Sequence, residues 1–230
     1  MARLRQHASI RPAVTAMVFA VAVTVAFVMA ISEASAAGRP APARELAAEL
    51  LILRGDLGRL GEAGLSAKNR QGLRQRIAGA LGLLPWLLRQ AGDEAAAERL
   101  RVWQGRPLDD AAERTALVVA LDAAIARHPL DRAVFSIDAT PARLNEARAI
   151  HRTYCAGCHD GTGNGAPDLA LPARDLFAMA RKELVDEFLA RMVNGVKGDA
   201  SIHFANPLTD RRIGALWALY RSQRAPEPSR

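Results

Sequence analysis

Apolar residues recur at helical spacing between residues 41 and 135. In the first stretch, leucines step by four and three along the chain, which places them on one face of a helix. These leucines are Leu46, Leu50, Leu53, Leu57 and Leu60. The next stretch repeats the pattern up to Pro85 with Leu73, Ile77, Leu81 and Leu84. We predict a small antiparallel helical bundle, since the leucine run is too short for the seam of a coiled-coil dimer.

Acidic residues stand where two further helices of this segment would begin. The third stretch runs over residues 93–104 and the fourth over residues 109–128. Asp93 and Asp109 are therefore the predicted N-caps of these helices. Residues 129–140 follow as the predicted linker to the rest of the chain.

Composition and charge narrow the class of protein. Half of the residues are hydrophobic and only 5% are aromatic, which favours helix over sheet. The formal net charge of +7 is spread along the chain rather than gathered in one patch. We therefore predict an all-α protein and no nucleic-acid partner.

The amino-terminal segment has the pattern of an export signal. Residues 1–11 are basic, residues 13–31 are apolar but for two threonines, and the small residues Ala34-Ser35-Ala36 follow. We predict a signal peptide over residues 1–36 and a periplasmic location for the remainder. The apolar run is also long enough to span a bilayer, so an uncleaved anchor in the inner membrane is the alternative.

The only two cysteines of the chain are Cys155 and Cys158, and His159 follows directly. Thiols three residues apart on a helical turn reach both vinyl-derived carbons at one haem edge, and the adjacent imidazole then faces the iron. Three other interpretations are weaker. A zinc site would need a fourth ligand. A thioredoxin-type redox pair would need a strand-helix-strand frame, and a disulfide between cysteines separated by only two residues would be strained. We therefore predict one covalently attached haem c, with His159 as the proximal axial ligand of its iron.

Around this motif, residues 140–222 resemble the class I cytochrome c family. Residues 142–154 look like the helix that leads into the attachment site, and Thr209 looks like the N-cap of the closing helix. Residues that would pack the closing helix across the first are Leu216, Trp217, Leu219 and Tyr220. The resemblance implies that the carbonyl of Pro167 accepts the second ring N–H of the proximal imidazole.

The resemblance also sets the predicted organisation of the chain. A helical bundle over residues 41–135 precedes a cytochrome c-like haem domain over residues 140–222. Residues 223–230, with two prolines and two arginines, are predicted to be a loose tail.

The second axial ligand departs from the family pattern. Family members usually supply a methionine three residues ahead of an aromatic residue, but here Ser201 precedes Phe204 at that spacing. His203 lies in the same loop and is the first candidate for the distal ligand. Met192 is the weaker alternative, because it recurs at helical spacing with apolar neighbours as a core residue does. An open or water-bound iron is the third possibility.

These features predict an exported mono-haem c-type cytochrome that carries single electrons between periplasmic or membrane redox proteins, rather than an enzyme. An open distal site would instead favour a gas-binding sensor or a haem enzyme. An uncleaved first helix would favour a structural anchor subunit of a membrane redox assembly.

Overall fold

Alanine- and leucine-rich stretches form helices throughout the part of the chain that the computed structural model describes, residues 42–160, 171–197, 203–204 and 206–222. The predicted all-α fold class is confirmed for these residues, which hold one two-residue β-ladder besides the helices. No helix within them is long and apolar enough to cross a membrane. The predicted signal or anchor segment and the predicted tail lie outside the described residues.

Four helices occupy the first part of the described chain, one for each predicted stretch. They are α1 (Pro42–Leu60), α2 (Ala67–Gln90), α3 (Glu94–Arg101) and α4 (Ala111–Arg127). Helix α1 packs against α2 and α4, while α2 also packs against α3.

The N-caps of α3 and α4 test the prediction of helix starts. The side chain of Asp93 caps α3 by accepting the backbone N–H of Ala96 at 3.0 Å, as predicted. For α4 the predicted cap was wrong by one residue: Asp110 accepts a first-turn N–H at 3.3 Å. Asp109 instead forms an ion pair with Arg74 of α2, which draws its side chain away from the helix end.

Pro85 lies inside α2, which continues to Gln90. A proline within a helix leaves the carbonyl four residues earlier without its N–H donor. That carbonyl belongs to Leu81, and Nε2 of Gln104 donates a hydrogen bond to it at 2.9 Å. The side chain of Gln104 therefore replaces the missing backbone bond, and the last turns of α2 stay in the core.

A second group of elements follows α4. They are a 3₁₀ turn (Ala133–Phe135), α5 (Pro141–Ile150), a π-helical turn (His151–Cys155), α6 (Ala156–His159), α7 (Leu176–Lys182), α8 (Val185–Asn194), β1 (Val196–Lys197), β2 (His203–Phe204) and α9 (Asp210–Ser222). The 3₁₀ turn falls within the predicted linker over residues 129–140. Phe135 is nevertheless only 1% exposed, so the core of the protein holds this connection in place.

Buried side chains form two hydrophobic clusters. The leucine cluster lies among α1–α4 and consists of Leu, Ala and one Ile; its largest fully buried members are Leu46, Leu50, Leu53, Leu60, Leu73, Ile77, Leu84, Leu88 and Leu100. The aromatic cluster lies among α1, the 3₁₀ turn, α5, α7, α8 and α9, and its aromatic and methionine members are Phe135, Phe177, Met179, Phe188, Met192 and Tyr220.

Helix α1 belongs to both clusters. Its Ala48, Leu51 and Ile52 are part of the aromatic cluster, and α1 packs against α8. The helices approach closely at Gly55, where an added Cβ would collide with the carboxylate of Glu187. The segment predicted as a separate bundle thus shares a helix with the core around the cysteine motif, while the predicted domain boundaries stay a prediction.

Candidate functional site

The cysteine motif lies at the end of one continuous helical segment. Thr140 is the N-cap of helix α5, and its hydroxyl accepts the backbone N–H of Arg143 at 3.4 Å. Residues 151–155 then form a π turn, a feature that is frequent at functional sites. Cys155 ends this turn, and Cys158 and His159 end the following α6. The helix thereby presents two thiols and an imidazole within its last turns.

The two thiols differ in their surroundings, and neither is in a disulfide. Cys155 is half-buried, whereas Cys158 is exposed. Burial raises the pKa of the Cys155 thiol, and the negative charge of Asp160 adds to this, although a hydrogen bond with Tyr220 acts in the opposite direction. The Cys155 thiol is therefore protonated at neutral pH, as an unreacted thiol beside an apolar core is expected to be.

His159 is held by a backbone carbonyl. Its Nδ1 donates a hydrogen bond to the carbonyl oxygen of Arg174 at 2.6 Å. This bond fixes the tautomer and leaves the lone pair of Nε2 for a metal. The resemblance assigned the acceptor role to Pro167, which lies outside the described residues; the acceptor in the structure is Arg174.

The position of the Arg174 carbonyl is fixed from both sides. The next residue, Asp175, is the N-cap of α7 and accepts the N–H of Ala178 at 2.6 Å. The guanidinium of Arg174 forms an ion pair with Glu183, directly after α7. Sequence reasoning missed this acceptor because any residue can supply a backbone carbonyl, so nothing in its side chain marks the role.

His151 lies in a buried polar cluster with Tyr220 and Asp160, next to the cysteine motif. The residue is 4% exposed. Its Nδ1 lies 3.1 Å from the Tyr220 hydroxyl and its Nε2 lies 2.9 Å from Oδ1 of Asp160. The ring also makes edge-to-face contacts with Phe177 and Tyr220. The signal in the sequence was a histidine within the predicted entering helix, four residues before Cys155.

The two candidates for the distal ligand lie on different elements. His203 is in β2, opposite Lys197 of β1 in the antiparallel ladder. Met192 is 8% exposed within the aromatic cluster, and its carbonyl accepts a hydrogen bond from Nδ2 of Asn206 at 2.7 Å. Met192 belongs to the cluster against which Cys155 packs, whereas the surroundings of the His203 side chain lie outside what the structure describes.

The donor set of the motif fits a covalently bound haem. Cys155 and Cys158 supply two thiols for thioether bonds, and His159 supplies an imidazole nitrogen on the same helix end. Among the described residues, no group of three or more His, Cys, Asp and Glu side chains is arranged to hold a metal ion by itself.

Comparisons with known proteins add no assignment. No protein-family model matches the chain, and no curated protein or solved structure is significantly similar to it. The resemblance to class I cytochromes c therefore rests on the cysteine motif and on the residues around it.

Proposed function

We propose that the chain is an exported mono-haem c-type cytochrome that carries single electrons between periplasmic redox partners. The observation that carries this proposal is the hydrogen bond from Nδ1 of His159 to the Arg174 carbonyl, beside two thiols on the same helix end. A bound haem would supply an iron that alternates between ferrous and ferric states. Each electron comes from a reduced protein donor and passes to an oxidised protein acceptor.

The chain's own residues have separate tasks in this proposal. Cys155 and Cys158 would attach the group, and His159 would bind its iron through Nε2 while the Arg174 carbonyl keeps the ring from rotating. A ring held in this way would keep the same orientation in both oxidation states of a bound iron. Such rigidity favours rapid electron transfer between weakly docked partners.

The packing of the first and last helices supports a cytochrome c-like arrangement of residues 140–222. Helix α9 packs against α5 and α7. Ala147 of α5 and Leu216 of α9 are both fully buried in the aromatic cluster. The hydroxyl of Thr209 accepts the Arg212 N–H at 3.4 Å, as predicted for the N-cap of the closing helix.

The first test of the proposal is covalent attachment. The full chain is produced in a host with a cytochrome c maturation system and analysed by mass spectrometry under denaturing conditions. We expect the polypeptide mass plus one haem, and loss of that increment when both Cys155 and Cys158 are replaced by serine. A wild-type mass without haem would contradict the proposal.

We further propose that His203 is the distal ligand. Met192 is a member of the buried aromatic cluster on α8, and this packing favours a structural role for its side chain. We expect low-spin ferric spectra without a sulfur-to-iron charge-transfer band, and a high-spin spectrum for His203→Ala. Met192→Leu is the matched control and should stay low-spin. A low-spin His203→Ala protein contradicts this assignment, and rapid CO binding by the ferrous wild type indicates an open distal site instead.

A further inference from the structure

A network of ion pairs joins α1 to α8. Nη2 of Arg191 donates to Oδ1 of Asp56 at 2.9 Å and to Oε1 of Glu187 at 2.6 Å, while its Nε donates to Oε2 of Glu183 at 3.2 Å. Arg76 of α2 binds both carboxylate oxygens of Asp56. One guanidinium thus bridges three carboxylates, two on or beside α8 and one on α1.

The network is shielded from solvent. The side chain of Asp56 is 1% exposed, and that of Arg191 is 12% exposed. Burial alone would raise the pKa of Asp56, but Arg191 and Arg76 outweigh it and lower the pKa to about 2. Burial and the nearby Arg174 and Arg76 lower the pKa of Arg59 to about 10, so it also remains charged at neutral pH. The carboxylates therefore separate a group of arginines that would otherwise repel one another.

The network reaches the proximal imidazole through Glu183. One carboxylate oxygen of Glu183 accepts from Arg191, and the other accepts from Arg174. The backbone carbonyl of Arg174 in turn accepts the Nδ1 proton of His159. Charged hydrogen bonds thus run from Asp56 in α1 to the Arg174 guanidinium, and the backbone carbonyl of the same Arg174 binds His159.

We propose that the Asp56–Arg191–Glu183–Arg174 path is a positioning relay that fixes the carbonyl binding His159 and so joins the N-terminal helices to the haem site. The role of His159 in this relay rests on the proposed function. A bidentate or bridging arginine restricts its carboxylate partners in direction as well as distance, which a lysine at the same place does not. Arg191 meets its carboxylate partners through Nε and Nη2, and Arg174 meets Glu183 through Nη2. The relay therefore depends on these directed guanidinium contacts and not on charge alone.

Two measurable properties follow from a fixed carbonyl. The Nδ1 proton of His159 is protected from solvent exchange while its bond to Arg174 persists. The same bond makes the imidazole a stronger donor to iron, which stabilises the ferric state and lowers the reduction potential. Loosening the relay should therefore accelerate exchange and raise the potential.

The experiment replaces arginine by lysine, so that each variant keeps the positive charge and loses the planar guanidinium that makes the directed contacts. Arg191→Lys alters the buried centre of the relay. Arg174→Lys alters its end, where the side chain is 32% exposed and the substitution is easily accommodated. The matched control is Arg54→Lys, which disturbs the 2.6 Å ion pair between Arg54 of α1 and Asp122 of α4.

Exchange of the His159 Nδ1 proton is measured by NMR of ¹⁵N-labelled ferrous protein, and the reduction potential by spectroelectrochemistry. We expect exchange about tenfold faster in Arg191→Lys and Arg174→Lys than in the wild type, together with a higher potential, and no change in Arg54→Lys. If Arg191→Lys does not fold, the exchange rate of the His159 Nδ1 proton in Arg174→Lys tests the relay by itself.

Three outcomes overturn the relay or separate it from the proposed function. Unchanged exchange in a folded Arg174→Lys protein overturns it. A shifted potential with unchanged exchange also overturns it, because the carbonyl bond is then intact. A chain that carries no haem contradicts the proposed function; the Nδ1 proton is still measured in that chain, and its exchange in Arg174→Lys decides the relay separately.

Discussion

The leucine cluster and the aromatic cluster are built from different side chains within one protein. The leucine cluster contains only leucine, alanine and one isoleucine, and therefore has no directional interactions among its members. The aromatic cluster contains rings that meet edge to face, with centroids 4.9 Å apart for Phe177 and Tyr220 and 6.0 Å apart for Phe188 and Tyr220. It also surrounds the imidazole of His151.

This difference separates a cluster that is held by apolar packing alone from one whose side chains have fixed orientations. Apolar area stabilises α1–α4 without fixing one orientation of each side chain. In the aromatic cluster, hydrogen bonds and ring contacts orient His151, Tyr220 and Cys155 relative to one another. The cysteine motif adjoins the aromatic cluster, whose side chains are oriented, and α1 contributes side chains to both clusters.

The largest effects are expected from removing one large side chain from each cluster. Phe188→Ala should lower the free energy of unfolding by about 4 kcal/mol and Leu84→Ala by about 3 kcal/mol, because both side chains are fully buried. Only Phe188→Ala should also alter the near-ultraviolet circular dichroism, since Phe188 contacts Tyr220. Urea unfolding and circular dichroism measure the two effects. An unchanged near-ultraviolet spectrum in folded Phe188→Ala would show that Phe188 does not orient Tyr220 in the aromatic cluster.

The boundary between the clusters should respond to acid. The pKa of Asp56 is lowered from 3.8 to about 2 in the folded protein. The ionised carboxylate therefore stabilises the fold above about pH 4, and this contribution to the free energy of unfolding is lost as the pH falls towards 2. The contribution corresponds to about 2 kcal/mol. Unfolding free energies of wild type and Asp56→Asn, measured across this pH range, should converge by that amount. A constant difference between the two proteins at pH 5 and pH 2 would rule this out.

Local patterns predicted much of the fold. The four N-terminal helices, the Asp93 cap and the Thr209 cap all follow from residues close together in sequence. Errors arose where a distant residue intervened. Gln104 lets α2 continue past Pro85, and Arg74 binds Asp109 and leaves Asp110 as the cap.

The candidate site was predictable only in its covalent part. Cys155, Cys158 and His159 are adjacent in sequence, so their spacing alone indicates the chemistry. The bond from His159 to Arg174 joins residues that are 15 positions apart in the sequence, and Arg191 lies 135 positions from Asp56. Periodicity shows which face of a helix is apolar but not which charged residues meet across it.

A smaller effect is expected from the polar centre of the aromatic cluster. Tyr220→Phe removes the hydroxyl that lies 3.1 Å from Nδ1 of buried His151, and should lower the free energy of unfolding by about 1.5 kcal/mol. Tyr154→Phe is the matched control, because Tyr154 is 76% exposed and its hydroxyl should contribute little. Thermal or urea unfolding measures both. Equal stabilities of the two variants would show that the polar centre does not stabilise the cluster.

The smallest expected effect concerns the hydrogen bond from the Gln104 side chain to the Leu81 carbonyl, which Pro85 leaves without a backbone donor. Gln104→Ala should cost about 1 kcal/mol, because the Leu81 carbonyl loses its donor. In a Pro85→Ala background the new backbone N–H can bind that carbonyl, so the same Gln104→Ala substitution should cost almost nothing. Urea unfolding of the four proteins of this double-mutant cycle should thus give a coupling free energy of about 1 kcal/mol. If Gln104→Ala costs the same in both backgrounds, Gln104 does not replace the missing backbone bond, and apolar packing alone keeps the chain helical beyond Pro85.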